Sequence, residues 1–317
     1  MRIDAENSEL RQIPIERIDR NPENPRIIFR QNELEELLES IRTYGVQVPI
    51  SVYREGSRFV LIDGERRWKC CLKLNKKTVP ALVQKKPSPL DNLLLMFNIH
   101  ALREQWDYLT VALKLPRIIK LLVHELGREP NEREVSEKTG LTRGAIRRCK
   151  FLMDLPRQYQ DELLKELNKP KSEQKISEDL FIEMERSLKT VERAMPEVIE
   201  NKDIVRRVLI DKYKKNTINN IVDFRKLGRI ARAENVEADK GKARQALRKV
   251  FQPNSYSISL AYEESVSFAY SERDVLSRIE ALSARLNDLG PEDLDEDVKT
   301  ALKSLVKRAL ALLKAQE

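Results

Sequence analysis

Phe59-Val60-Leu61-Ile62-Asp63-Gly64-Glu65-Arg66-Arg67-Trp68 is the most telling run of the chain. Four consecutive apolar residues read as a buried strand, Asp-Gly as the turn that ends it, and the charged residues beyond as the opening of a helix. Such a turn gathers the free N–H groups of a helix start at one spot, and Arg66 and Arg67 add two guanidinium forks beside them. That is anion-binding chemistry, and a nucleoside triphosphate is the obvious anion.

Outward from this run, residues 11–86 alternate short apolar stretches with turn signals. Ile13-Pro14-Ile15, Pro49 to Tyr53, Phe59 to Ile62 and Val79 to Val83 read as strands around helices at 33–44 and 65–74, so 1–86 is expected to be a small α/β domain. Lys85-Lys86-Pro87-Ser88-Pro89 reads as a linker. From Asp91 to about Arg248 nearly everything reads as helix, broken at Pro116, Pro130, Pro156, Pro170 and Pro196. The expected division is a helical domain at 90–195, a basic helical segment at 196–252 and a C-terminal module at 253–317. In that module Tyr256, Ile258, Leu260 and Tyr262 alternate with small residues like a half-buried strand. Val275, Ile279, Leu282, Leu286 and then Val298, Leu302, Leu305, Ala309, Leu312 form a heptad seam on each arm of a helical hairpin. Each arm is too short to be stable alone, which favours a homodimer.

Within the helical domain, 132–153 has the pattern of a helix-turn-helix. Glu132 to Thr139 reads as the first helix, Gly140 as its turn, with Leu141 buried beneath, and Thr142 as the cap of a second helix. Ile146, Cys149 and Met153 repeat on its inner face. Arg143, Arg147 and Lys150 fall on the opposite face with Arg148 beside them, cations suited to phosphates and guanine edges of double-stranded DNA. The net charge of +8 points the same way, because residues 200–250 hold 15 basic and seven acidic residues.

Other chemistries find little support. Three cysteines with no CxxC make neither a disulfide framework nor, with two histidines, a zinc site. Glu33, Glu35, Glu36 and Glu39 read as a solvated helix face rather than a metal cluster. Met1 to Gln12 is mostly polar and no stretch approaches about 18 apolar residues, so a cytoplasmic protein without a membrane partner is expected.

Asn21-Pro22-Glu23-Asn24-Pro25-Arg26, the helix carrying Leu34, Leu37, Leu38 and Ile41, Gly45 to Ile50 and the Gly64-Glu65-Arg66-Arg67 turn resemble, in order and spacing, the first two boxes of the ParB/sulfiredoxin-like N-terminal domain. Phe97-Asn98-Ile99-His100-Ala101-Leu102-Arg103-Glu104 sits where ParB proteins carry their third box, and the helix-turn-helix follows where theirs does. The resemblance covers roughly residues 10–180. It implies a CTP-binding pocket. Asn24, Pro25 and Arg26 would close over the nucleotide, Gly64, Glu65, Arg66 and Arg67 would hold its phosphates, and Asn98 would serve a magnesium ion. The chain departs from the family at Phe97, where an acid is expected, and at Ala101, where an arginine is expected, with Arg103 two positions late. A phenyl ring offers Mg2+ no ligand, so CTP hydrolysis is expected to be slow or absent, and an acid restored at 97 would raise it. Lys69-Cys70 replaces a common Arg-Ala. Sulfiredoxin chemistry is missing too, because Glu65 stands where the reactive cysteine would be.

Together these residues point to a sequence-specific DNA-binding protein of the ParB type, a CTP-gated clamp in plasmid or chromosome partition, associated with nucleoid or plasmid. A Walker-type ATPase is the partner the resemblance implies. The alternatives are a nucleotide-independent transcription or defence regulator on the same scaffold, and a ParB-like nuclease or kinase.

Overall fold

The computed structural model describes residues 9–101, 107–290 and 293–314, with the side chains of all but 99–101. The chain divides into two compact units, Met1–Thr190 with Tyr213–Arg225, and Val191–Lys212 with Lys226–Glu317. An N-terminal mixed sheet is followed by a long series of helices, so the expected fold class holds.

The first unit opens with β1 (Glu9–Pro14), β2 (Ile18–Asp19), α1 (Gln31–Tyr44), β3 (Ile50–Glu55), β4 (Arg58–Asp63), α2 (Glu65–Lys73) and β5 (Thr78–Gln84). The strands form one sheet in the order β1-β5-β3-β4-β2. β1 runs antiparallel to β5 and β3 antiparallel to β4, whereas β3 with β5 and β2 with β4 are parallel. The apolar alternation explains this sheet: Ile13, Ile50, Val52, Leu61, Val79 and Ala81 point into a core closed by Leu34 and Ile41 of α1 and by Cys70 and Cys71 of α2. Both of those cysteines behave as small buried hydrophobes.

Beyond the sheet come α3 (Pro89–Ala101), α4 (Tyr108–Leu126), α5 (Glu132–Thr139), α6 (Arg143–Met153), α7 (Arg157–Leu167) and α8 (Glu178–Ala194). The expected break at Pro116 does not occur, and α4 runs through it. A proline in a helix interior loses one hydrogen bond, yet Leu115 and Ile118 beside it are fully buried, and that packing outweighs the loss. Glu178, the first residue of α8, accepts the backbone N–H of Leu109 at 2.6 Å and so satisfies an orphan donor in the first turn of α4. Burial pushes the Glu178 carboxyl up to about 7.

The remaining helices are α9 (Lys202–Lys214), α10 (Phe224–Ala231), α11 (Lys240–Val250), α12 (Ile258–Ser265), α13 (Ser267–Asn287) and α14 (Glu296–Lys314). The strand expected over 256–262 is a helix instead. Ser257 caps α12 by accepting from Leu260 N, and Ile258 and Ala261 are buried three residues apart, a spacing equally available to the same apolar set. In the second unit Lys212 is 3% exposed and lacks an acidic partner among its hydrogen bonds. Its Nζ donates to Val250 O and Tyr256 O at 2.7 Å each and to Asn254 Oδ1 at 3.0 Å, pinning the end of α11 to the turn after it. Burial lowers its ammonium to about 8. α13 and α14 bury no residue, and their seam positions Val275, Ile279 and Leu305 are at least half exposed.

Candidate functional site

Gly64 caps α2 at φ 95°, ψ 23°, a left-handed conformation that a side chain would strain. A Cβ there would stand 2.7 Å from Ile50 Cγ2, so the turn is pressed against β3 and tolerates glycine alone. This places the first N–H groups of α2 beside the first turn of α1.

Arg66 reaches across that gap, donating from Nη2 to Glu33 O at 2.7 Å while its Nη1 lies 3.5 Å from Glu33 Oε2. Arg26 Nη2 approaches the same Oε2 at 3.6 Å, and Arg30 Nη1 approaches Oε1 at 3.3 Å. Burial, and then the like charge of Arg66, lower the pKa of Arg26. Three guanidinium groups therefore share one carboxylate. Glu33 was expected on a solvated face with Glu35, Glu36 and Glu39, which are indeed exposed. Its neighbours were hidden because Arg66 lies 33 residues away, although its i,i+3 spacing from Arg30 was visible.

Other expected phosphate residues are committed to the fold. Glu65 is 4% exposed. It accepts Asn24 Nδ2 at 2.7 Å and lies 2.9 Å from both Arg20 Nε and Lys69 Nζ. Asn24 Oδ1 in turn accepts Arg26 N at 2.9 Å, so the Asn24-Pro25-Arg26 loop is shaped by a carboxylate 41 residues on. Arg67 clamps the start of β3, donating to Val48 O at 2.5 Å and Pro49 O at 2.7 Å, and pairs with Asp63 at 2.8 Å. Of the residues expected at the nucleotide, Arg26 from the closing loop and Arg66 from the phosphate turn converge on Glu33, and Arg30, not singled out in the sequence, joins them.

The same loop is tied to the helices. Asn21 Nδ2 donates to Asn92 Oδ1 of α3 at 3.0 Å, and Lys114 of α4 donates to Pro22 O at 3.0 Å. Arg30 donates to Leu167 O at 3.1 Å and to Asp107 at 2.8 Å.

In the third box the described side chains are those of Phe97 and Asn98. Phe97 is fully buried, and Asn98 Oδ1 lies only 2.5 Å from where a Cβ on Gly140 would be, so its carboxamide packs on the turn between α5 and α6. Among the described residues no group of three His, Cys, Asp or Glu could hold an ion. Arg103 and Glu104 lie outside the described residues. The arginines beside the Gly64 turn carry the charge a phosphate group would need, and neither Phe97 nor Asn98 offers an acidic ligand to Mg2+.

That turn is built from side chains. Gly140 adopts φ 74°, Ser136 Oγ donates to Leu141 O at 2.6 Å, and Thr142 Oγ1 accepts Ala145 N at 3.1 Å to cap α6. Ile146 and Cys149 are buried as expected. The third inward residue is Leu152, three after Cys149 on the same face, whereas Met153 is half-buried. Arg143, Arg147 and Lys150 are exposed, the last two pairing with Glu132 at 2.9 and 3.2 Å. Arg148 is less exposed than these three. It pairs with Asp179, and its guanidinium lies 4.5 Å from the centre of the Tyr108 ring.

The family model of the ParB N-terminal domain matches residues 1–96. The chain carries a ParB N-terminal domain. Similar proteins include a nucleoid occlusion protein of Geobacillus kaustophilus, 31% identical over 161 residues, 50% of this chain and 54% of that protein. The chromosome-partitioning protein ParB of Caulobacter vibrioides is 32% identical over 160 residues, 49% of each chain. This chain thus spans about half the length of the curated relatives it matches. Among solved structures, the C-terminally truncated ParB of Caulobacter crescentus complexed with CTP-gamma-S is 30% identical, covering 50% of this chain and 85% of that one at a TM-score of 0.29. No helix among the described residues is long and apolar enough to cross a membrane.

Proposed function

We propose that this is a double-stranded DNA-binding protein of the ParB kind, whose α/β domain binds CTP and so gates a clamp on DNA in chromosome or plasmid partition. The observation that carries this is the convergence of Arg26, Arg30 and Arg66 on one carboxylate beside the Gly64 turn, a surplus of positive charge at a helix start. The CTP-gamma-S complex of the Caulobacter crescentus relative supports the choice of nucleotide. For DNA, the support is the exposed row Arg143, Arg147 and Lys150 on a helix capped by Thr142, acting as the second helix of a helix-turn-helix, and the names of the partition and nucleoid occlusion relatives.

The division of labour would be nucleotide binding in 1–86, DNA recognition in 90–195, a basic backbone-following segment in 196–252 and self-association in 253–317. The exposed seams of α13 and α14 suit a homodimer, at the nucleoid or a plasmid of the cytoplasm, with a Walker-type ATPase as a further partner. Hydrolysis would be weak or absent, since Phe97 stands where the metal-associated acid is expected.

Calorimetry with CTP and ATP tests the gate. Wild type should prefer CTP, and Arg66→Ala should abolish binding at a smaller cost in melting temperature than Arg67→Ala, because the hydrogen bond and ion pair of Arg66 go to Glu33 whereas Arg67 holds the start of β3 and Asp63. Absence of binding to any nucleoside triphosphate would move the protein to a nucleotide-independent regulator, a role that the buried Phe97 favours.

A further inference from the structure

The two carboxylates among the arginines are held in different ways. The Glu65 side chain is 2% exposed; it accepts a hydrogen bond from Asn24 at 2.7 Å and lies 2.9 Å from the cations of Arg20 and Lys69, closer than any cation stands to the Glu33 carboxylate. The Glu33 side chain is 31% exposed, and its carboxylate oxygens stand 3.3 to 3.6 Å from Arg30, Arg66 and Arg26, whose side chains are 9%, 23% and 16% exposed. The anion thus lies nearer to solvent than the cations it serves, and none of the three grips it in a bidentate fork.

Charge sharpens the contrast. Asp107 answers Arg30 at 2.8 Å, leaving Arg26 and Arg66 with Glu33 as their common acid. Two guanidinium groups close enough to lower the pKa of Arg26 would repel each other across an empty gap. A carboxylate loosely set between them does what a phosphate group would do better, with more oxygens and more charge.

We propose that the Glu33 carboxylate is an internal surrogate for phosphate: it fills the arginine cradle while no polyphosphate is bound and competes with the incoming ligand for Arg26 and Arg66. The proposal rests on the nucleotide-binding role above and adds a residue that sets its affinity. A triphosphate must push the Glu33 side chain outward, a movement its exposure permits, and the two anions repel each other while both remain near the arginines.

The test is calorimetry on the full chain with CTP and, separately, inorganic tripolyphosphate. Glu33→Gln, which keeps the shape and removes the charge, should bind both about five- to tenfold more tightly than wild type. Glu33→Asp, which keeps the charge but draws it back by one methylene, should gain less than Glu33→Gln. If Glu33→Gln fails to fold, Glu33→Ala carries the same expectation. Binding by wild type with no gain in either uncharged variant would overturn the surrogate and leave the nucleotide site standing, and so would an equal gain in Glu33→Asp. No binding of either probe to any of the proteins would overturn the nucleotide site itself and the surrogate with it.

Discussion

Substituting Gly140 by alanine would strike the turn between α5 and α6 twice. At φ 74° an L-residue costs roughly 1–2 kcal/mol in backbone strain. The new methyl would also lie 2.5 Å from Asn98 Oδ1, well inside contact distance, and turning that carboxamide off its rotamer costs about 0.5–1.5 kcal/mol more. The expected destabilisation of the first unit is therefore about 2–3 kcal/mol. The two parts separate in a double-mutant cycle: in an Asn98→Ala background the overlap disappears and Gly140→Ala should cost only the strain, a coupling of about 0.5–1.5 kcal/mol. Urea unfolding of the four proteins, followed by helical circular dichroism, reads it. Additive costs within about 0.5 kcal/mol would refute the contact between the third box and this turn.

Other outcomes follow from single sites. The Glu178 carboxyl keeps its proton up to about pH 7 in the folded chain and loses it near 4.5 when unfolded, so its stabilising contribution is complete below 4.5 and is lost as pH rises to 7. The unfolding free energy from urea titrations should fall over that window in wild type by on the order of 3 kcal/mol, and the fall should shrink in Glu178→Gln. Lys212→Ala would strand three acceptors and open a cavity, at a cost of about 2–4 kcal/mol visible in the melting of the second unit; an unchanged melting curve would show that the pin is dispensable. Arg147→Ala should weaken binding to a specific duplex by about 1–3 kcal/mol if it meets a base edge, and flatten the salt dependence if it meets phosphate, with gel shifts across a salt series deciding. Phe97→Glu should not restore turnover, contrary to the expectation from the sequence. It places a carboxylate in a sealed apolar site, so a melting point several degrees lower is expected and an unaltered one would count against the burial.

The Gly64 turn was legible because strand, glycine and helix start are consecutive, and the Gly140 turn because its cap and glycine obey local rules. What pairs across distance was not. Nothing near Glu65 announces that it is an internal anchor for Asn24, and nothing near Asn98 announces Gly140, since each partner is some forty residues away. Local periodicity also misled where two periods coincide: Ile258, Leu260 and Tyr262 fit a strand, and the Ser257 cap together with Ile258 and Ala261 decided for a helix. Pro116 erred in the other direction, a strong local signal overruled by the packing of Leu115 and Ile118.

The three cysteines give the molecule a built-in stopwatch. Cys70, Cys71 and Cys149 are at most 1% exposed and all belong to the first unit, and burial pushes their thiols up, that of Cys149 to about 12. An alkylating reagent can reach them only when that unit opens, because the reactive thiolate is both screened and scarce in the closed form. Pulsed alkylation would therefore time the opening of the sheet and of the α4–α6 helices separately by site, while the second unit, having no cysteine, stays silent. A cysteine placed by mutation at exposed Arg143 would take a probe against this quiet background without any native thiol being removed.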